Sequence, residues 1–262
     1  MNLRSSTRRD RLELEFGCYA LWLAQVVNEF DLDPIPAACR GTGNPELFKR
    51  LAGALGLRRE SRLLDLGSGL GGPARWLSGH TGCEVVGVEI MESSAQGARL
   101  LFPTGEWVVA DSGELPFENE SFDAAWALGA LETIDDKDET LAEVKRVLRP
   151  GGRLAVYTFV PTSSAITDAP MADRFEPHET LVVRTRRAGF EIVEARCVPE
   201  LGVSPRSWRE QLQTVRSEVE RRHDSDPVFR RCREELDKMS ALWRSGEILP
   251  WLFVIQKDGG TP

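Results

Sequence analysis

A glycine-rich turn that follows a short apolar run constrains this chain most. The segment is Arg62-Leu-Leu-Asp-Leu-Gly-Ser-Gly-Leu-Gly-Gly72. Its leucines are typical of a central parallel strand, and its glycines let the backbone turn sharply and approach a ligand closely. A helix is predicted to follow, from about Pro73 to Ser78. The order of strand, glycine loop and helix predicts a cofactor-binding cradle at the edge of an α/β sheet.

The carboxylate of Asp65 separates two interpretations of this loop. Gly67, Gly69 and Gly72 also match the G-x-G-x-x-G pattern of dinucleotide-binding proteins. Asp65, however, stands two residues before the first glycine, where dinucleotide-binding strands usually carry an apolar residue. A buried carboxylate needs a compensating partner, so Asp65 favours the cationic amino end of a methionine-like ligand over a pyrophosphate.

Two further strands are predicted to bring acids to the same edge of the sheet. The segment 83–89 is rich in β-branched residues and ends in Glu89, whose carboxylate can accept two hydrogen bonds from a ribose diol. The segment 106–112 contains Asp111, which is suited to accept a hydrogen bond from an adenine amino group. Because open α/β sheets bind ligands beyond the carboxyl ends of their strands, Asp65, Glu89 and Asp111 are predicted to share one site.

With these motifs, the chain resembles the class I S-adenosylmethionine-dependent methyltransferases, in the branch that modifies small molecules. The resemblance spans residues 45–197 and includes Leu115–Asp123 and Glu143–Leu154 besides the glycine loop. It implies a Rossmann-like α/β fold: a seven-stranded, mostly parallel sheet with helices on both faces. It also implies that the last strand, predicted for Trp251–Lys257, is antiparallel and lies at the sheet edge.

The resemblance further implies S-adenosylmethionine as the cofactor. In that family the loop glycines approach the methionine part, the acid at Glu89 binds the ribose, the pair at Asp111 and Ser112 binds the adenine, and Ile90 packs on the ring. The cofactor-binding residues expected on this basis are Asp65, Gly67, Ser68, Gly69, Gly71, Glu89, Ile90, Asp111, Ser112 and Leu128.

The charge balance and the cysteine pattern argue against several function classes. With 33 basic and 41 acidic residues the net charge is −8, which disfavours a nucleic-acid substrate. The 5 cysteines show no C-x-x-C spacing and the 3 histidines do not cluster, so we expect reduced thiols and no metal. The longest apolar run, 16–27, is too short to span a membrane and no signal-peptide cleavage pattern precedes it, which predicts a cytoplasmic protein.

The segments around the core motifs predict a helical cap and a helical lid. We expect an N-terminal helical cap over 1–44, a core over 45–203 and 247–262, and a lid insertion over 204–246. The cap contains an amphipathic helix over 10–30 and then a loop marked by prolines; the lid consists of two helices split near 224–227. Residues 160–176 are turn-rich and are predicted to be mobile over the pocket. An insertion this long far exceeds what a hairpin needs, which indicates a lid.

The residues that carry catalysis are less well defined by the sequence. Many relatives of this branch have an acid where Gly129 stands and a histidine where Thr133 stands, and this chain has neither. Glu132 and His178 are the catalytic candidates, although a glutamate at this point is as often a helix-dipole residue and a structural role is favoured for His178. The substrate-binding candidates, for which a core role is equally weighted, are Tyr19, Trp22, Phe159, Trp208 and Trp243.

The predicted function is transfer of a methyl group from S-adenosylmethionine to an O, N or C nucleophile of a small molecule in secondary metabolism. One alternative is an enzyme of the same fold that catalyses cyclisation or rearrangement, with the cofactor structural or absent. Another is a non-catalytic subunit that binds the cofactor. The expected partners are a small-molecule substrate and a possible homodimer or partner subunit, without nucleic acid or membrane.

Overall fold

The strands of this protein form one twisted sheet whose carboxyl edge faces the glycine loop. The structure, a computed structural model, describes residues 7–39, 43–163, 166, 169–170 and 175–259. The described strands are β1 (Arg62–Leu66), β2 (Glu84–Glu89), β3 (Glu106–Val109), β4 (Phe122–Leu128), β5 (Leu148–Pro161), β6 (Phe190–Cys197) and β7 (Ile248–Lys257). Their order in the sheet is β3-β2-β1-β4-β5-β7-β6. This arrangement confirms the predicted Rossmann-like α/β fold with seven strands.

The direction of the last strand is confirmed, but its predicted position is wrong. The five strands β3, β2, β1, β4 and β5 pair in parallel, and β7 runs antiparallel to its two neighbours. It lies between β5 and β6 rather than at the edge. The physical reason is that β7 is buried on both faces: Leu252 and Val254 pack into one core layer, and Phe253 and Ile255 pack into the other. A strand that is apolar on both faces belongs inside a sheet.

The helices surround the sheet, and five of those described begin at a side-chain cap. They are α1 (Arg8–Leu12), α2 (Cys18–Glu29), α3 (Pro34–Ala38), α4 (Pro45–Ala54), α5 (Gly72–Thr81), α6 (Glu92–Leu101), α7 (Lys137–Val147), α8 (His178–Arg187), α9 (Arg206–His223) and α10 (Pro227–Ser245). A π-helical turn over Glu13–Gly17 joins α1 to α2. Asn44, Asp136 and Asp226 each accept a backbone hydrogen bond at the start of the next helix.

One predicted loop is helical in the structure. The prolines at 34 and 36 suggested a loop, but they belong to the short helix α3. Asp33 caps this helix by accepting a hydrogen bond from the backbone N–H of Ile35, and Pro34 occupies its first turn, where proline removes no helical hydrogen bond. The segment 160–176, predicted to be mobile, lies partly outside the described residues.

The apolar core has three parts, and the third positions the site. One layer packs α7 and α8 on one face of the sheet, and a second packs α4 and α5 on the other. The third joins α2 and α3 to α9 and α10, and it includes Leu70 of the glycine loop. The N-terminal helices and the two helices of the insertion therefore pack together above this loop. The division of the chain into cap, core and lid stays a prediction.

Candidate active site

A cavity of about 340 Å³ opens beyond the carboxyl ends of the parallel strands. Its floor comes from the glycine loop and from the ends of β2 and β4, and its roof comes from α1, the π-helical turn, α9 and α10. This volume falls in the size range of small-molecule sites. Lining residues include Leu12, Phe16, Asp65, Gly67, Ser68, Gly69, Glu89, Ile90, Asp111, Ser112, Leu128, Gly129, Thr133, Phe159, Arg216, Glu235, Leu236 and Met239.

The glycine loop is fixed at one glycine and open at another. Gly71 has a φ of +78°, and a Cβ there would lie 2.2 Å from the ring of Trp107, so only glycine fits. At Gly69 a Cβ would meet nothing within 4 Å, although the residue has a φ of +54°. The space above Gly69 is the cavity itself. The loop is thus held against the sheet at one end and presents bare backbone to the cavity.

Glu89 ties the glycine loop to the end of β2. One carboxylate oxygen accepts a hydrogen bond from Gly69 N at 2.8 Å, and the other accepts one from Met91 N at 3.0 Å. The side chain is only 4% exposed. Because each carboxylate oxygen has a second lone pair, Glu89 can hold the loop and still accept hydrogen bonds from a ligand diol. The loop conformation and the predicted ribose site therefore depend on the same carboxylate.

Asp65 is an incompletely satisfied buried acid in this cavity. It is 3% exposed, and its Oδ2 atom has no hydrogen-bond partner. Burial raises the pKa of Asp65 from 3.8 to about 8. A buried carboxylate without a partner is costly, and a ligand ammonium beside it would offset that cost. The residue fits the amino end of a methionine-like ligand, as its position in the sequence suggested.

The predicted adenine site lies at the more exposed end of the cavity. Asp111 is exposed, and its Oδ1 atom accepts a hydrogen bond from Gly113 N at 2.9 Å. The hydroxyl of Ser112 lies 2.9 Å from that of Thr140. Ile90 also lines the cavity, at the end of β2. Nine of the ten residues that the resemblance implied for cofactor binding line the cavity, and the tenth, Gly71, lies in the same loop beside the ring of Trp107. Their role in cofactor binding stays a prediction.

The two catalytic candidates do not line the cavity in the described structure. Glu132 is buried and accepts hydrogen bonds from the Thr158 hydroxyl at 2.7 Å and from Phe159 N, and burial raises its pKa. His178 begins α8, with its ring 4.4 Å from that of Trp251 between centroids. Both sets of contacts are with the protein itself. A catalytic role for either residue stays a prediction, and the geometry favours a structural one.

Of the five aromatic candidates, the structure brings Phe159 to the cavity. Trp243 lies behind it, edge-on, with 5.4 Å between ring centroids. Tyr19 and Trp22 join α2 to the insertion, where Trp22 stacks on an α9 histidine at 4.0 Å. Trp208 packs against the core layer that holds α4 and α5. These four rings are not among the lining residues of the cavity, so their substrate role stays a prediction.

Several cavity residues were missed by the sequence reasoning. Arg216 and Glu235 line the roof, together with the apolar residues Leu12, Phe16, Leu236 and Met239. The sequence could have indicated Arg216, because this charged residue lies next to Val215, one of the buried residues of α9. A charged residue on the apolar stripe of a helix needs a partner.

The described residues were compared with the requirements of a metal site and of a membrane-spanning helix. No three His, Cys, Asp or Glu side chains of these residues are grouped to hold a metal ion. No helix among them is long and apolar enough to cross a membrane.

Comparison with known proteins links this site to a family. A family model described as a methyltransferase domain matches residues 64–156. Methyltransferase GfsG of Streptomyces halstedii is 36% identical over 121 residues, which cover 44% of this chain and 42% of that protein. The 27-O-demethylrifamycin SV methyltransferase of Amycolatopsis mediterranei is 38% identical over 125 residues, which cover 44% of each. The match thus spans less than half the length of these curated relatives.

The fold has its own match among solved structures. The crystal structure of the cyclase SpnF aligns with a TM-score of 0.73 at 21% identity, and the alignment covers 95% of this chain and 97% of that one. At this identity the likeness concerns the fold alone. Residues 64–156 are thus similar to a methyltransferase domain, and the strand order and the glycine loop of the structure fit that match.

Proposed function

We propose that this protein transfers a methyl group from S-adenosylmethionine to an O, N or C nucleophile of a small molecule. The observation that carries the proposal is the buried carboxylate of Asp65, which lines the cavity with an unpartnered oxygen. Asp65 would hold the amino group, Glu89 the ribose, and Asp111 with Ser112 the adenine. When bound, the cofactor supplies a methyl group on a sulfonium, which is a good electrophile.

The protein's part in such a reaction is orientation and exclusion of water. Gly129 and Thr133 line the cavity where many relatives carry an acid and a histidine, so no strong base stands at either position. Orientation of two reactants can supply much of the rate, with effective molarities on the order of 10⁵ M or more. The apolar roof, including Phe16 and Met239, would exclude water from the reacting atoms.

The biological setting of the proposal follows from the relatives and from the thiols. One of the matched proteins is named 27-O-demethylrifamycin SV methyltransferase, which supports an acceptor from secondary metabolism. All 5 cysteines are free, as expected in a reducing compartment, and this supports a cytoplasmic location.

The test follows a labelled methyl group. Incubation with methyl-deuterated S-adenosylmethionine and a panel of natural-product acceptors is expected to give a product that carries the label. Mass spectrometry should find one S-adenosylhomocysteine formed per labelled product. The proposal fails if no acceptor gains the label while the protein still converts one of them to another product.

A second candidate is cyclisation or rearrangement on the same scaffold. It is favoured by the missing acid and histidine at 129 and 133, and it is compatible with the fold likeness to the cyclase SpnF. The labelling experiment separates the two reactions, because cyclisation gives an unlabelled isomer and leaves the cofactor intact. A non-catalytic subunit would bind the cofactor and give neither product.

Glu132→Gln tests whether this carboxylate takes part in the reaction. Loss of a general base typically lowers the rate by about 10²–10⁴-fold. We expect Glu132→Gln to keep turnover within about tenfold of wild type, because its remaining oxygen can accept both existing hydrogen bonds. Glu132→Leu should lower the free energy of unfolding by about 1–3 kcal/mol, since it leaves the Thr158 hydroxyl and Phe159 N–H unpaired.

The two measurements are turnover with an acceptor found in the labelling assay and urea unfolding of each variant. If Glu132→Gln lost more than about 100-fold in rate with its unfolding curve unchanged, Glu132 would belong to the catalytic machinery.

A further inference from the structure

We propose that Arg216, on the insertion helix α9, binds the carboxylate of the cofactor's methionine end. This inference rests on the proposed use of S-adenosylmethionine. It assigns a cofactor-binding role to the insertion, for which the sequence predicted a lid. Asp65 and Arg216 would then hold the two charged groups of one amino-acid moiety, the ammonium from the floor and the carboxylate from the roof.

The first support is the charge of the cavity wall. Among the described lining residues, Asp65, Glu89, Asp111 and Glu235 are acidic, and Arg216 is the one basic residue. The acidic side chains of this wall would repel the carboxylate of a ligand unless that carboxylate lay beside Arg216. Arg216 therefore decides where an anionic group of a ligand can lie.

The second support is that Arg216 differs from the other arginines of α9. Arg206, Arg221 and Arg222 each form an ion pair with a glutamate, and Arg209 donates to the carbonyl oxygen of Ser204. Within the described residues Arg216 has no hydrogen bond or ion pair, and its Nε atom is buried. A buried guanidinium donor without an acceptor is costly, so the cavity wall holds a donor suited to a ligand acceptor.

The third support is the location of α9 above the glycine loop. Val215, the neighbour of Arg216, packs in the same cluster as Ala38, Leu70 and Ala74. Leu70 belongs to the glycine loop, and Ala74 lies in the first turn of α5. In the family, the glycines of this loop approach the methionine part of the cofactor. Arg216 is therefore held near the methionine end of the cavity.

The acidic residue of the roof that could accept a hydrogen bond from Arg216 is already paired with a lysine. Glu235 of α10 also lines the cavity, but Lys238 lies 3.1 Å from its carboxylate. No ion pair joins Arg216 to Glu235 in the described structure. A ligand carboxylate is consequently the acceptor that the guanidinium can take without breaking a contact already made.

A binding experiment with matched ligands tests the proposal. Titration calorimetry would compare S-adenosylmethionine with decarboxylated S-adenosylmethionine, which keeps the ammonium and lacks the carboxylate. We expect Arg216→Gln to bind S-adenosylmethionine about 10- to 100-fold more weakly, as for loss of a charge-assisted hydrogen-bonded pair. The decarboxylated ligand should bind this variant and the wild type within about threefold of each other. Arg206→Gln, at an exposed position of the same helix, is the control and should change neither affinity.

Three outcomes are distinguishable from the expected one. Equally weaker binding of both ligands would mean that Arg216 only supports the fold of the roof. Unchanged affinity for both ligands would mean that Arg216 faces the acceptor. Either result overturns the inference and leaves the proposed function standing. If the wild type itself did not bind S-adenosylmethionine, the proposed function and the inference would fall together.

Discussion

Replacement of Asp65 by Asn is expected to abolish measurable S-adenosylmethionine binding and to stabilise the free protein near pH 8. The unfolded carboxyl ionises near 4, whereas burial raises the pKa in the folded protein to about 8. Between these values only the folded state holds the proton, so the stability of the wild type falls as pH rises from about 4 to 8. Because an asparagine side chain does not ionise, the stability of the variant does not fall in this way as pH rises.

The size of the effect makes the experiment decisive. From pH 5 to pH 8 the stability of Asp65→Asn relative to wild type should rise by on the order of 3 kcal/mol. Urea unfolding at several pH values measures this difference, and calorimetry measures cofactor affinity. Asp237→Asn, at an exposed position of α10, serves as the matched control and should follow the wild-type pH profile. Unaltered cofactor affinity in Asp65→Asn would remove the main support for the proposed function.

Replacement of Glu89 by Ala is expected to weaken cofactor binding by about 10²–10³-fold, more than loss of the ribose contacts alone would cause. The structure gives the reason: the same carboxylate accepts hydrogen bonds from Gly69 N and Met91 N. The variant loses the ligand contacts and the ties that hold the loop in its binding conformation. The free protein should also lose about 2–4 kcal/mol of stability.

Calorimetry and hydrogen exchange over residues 67–72 test this prediction. Exchange in this loop should become faster in Glu89→Ala before any ligand is added, because Gly69 N loses its acceptor. Glu92→Ala removes a carboxylate from the exposed start of α6 and is the control for both measurements. Cofactor affinity within about threefold of wild type in Glu89→Ala would show that the ribose assignment is wrong.

The cavity wall formed by the glycine loop and the strand-end acids could be predicted because its information is local. Asp65, the loop glycines, Glu89 and Asp111 lie at the ends of successive strands, and parallel strands place such ends at one edge of the sheet. A short segment therefore specifies both the turn and the residue beside it. The alternation of strands and helices fixed the fold class in the same way.

The last strand shows where local information ends. The apolar run before Lys257 identifies a strand, and the structure contains one over Ile248–Lys257. Its place between β5 and β6 depends on pairing with residues about a hundred positions away, such as Arg153 with Gln256. Local periodicity describes which faces of a strand are apolar, but the choice of neighbours is a property of the whole sheet.

The rest of the candidate site was decided by tertiary structure. Glu132 follows β4 closely enough to suggest catalysis, yet its carboxylate accepts hydrogen bonds from the Thr158 hydroxyl and Phe159 N of β5. Arg216 resembles the other arginines of α9 in sequence, and only the packing of that helix on α2 and α3 turns it into the cavity. The sequence by itself determined the fold class, the glycine loop and the acids at the strand ends that line the cavity, because strand ends and tight turns are encoded by neighbouring residues. Which side chains meet the ligand from the roof depended on how helices distant in the chain pack, because helical periodicity identifies a buried face without identifying what covers it.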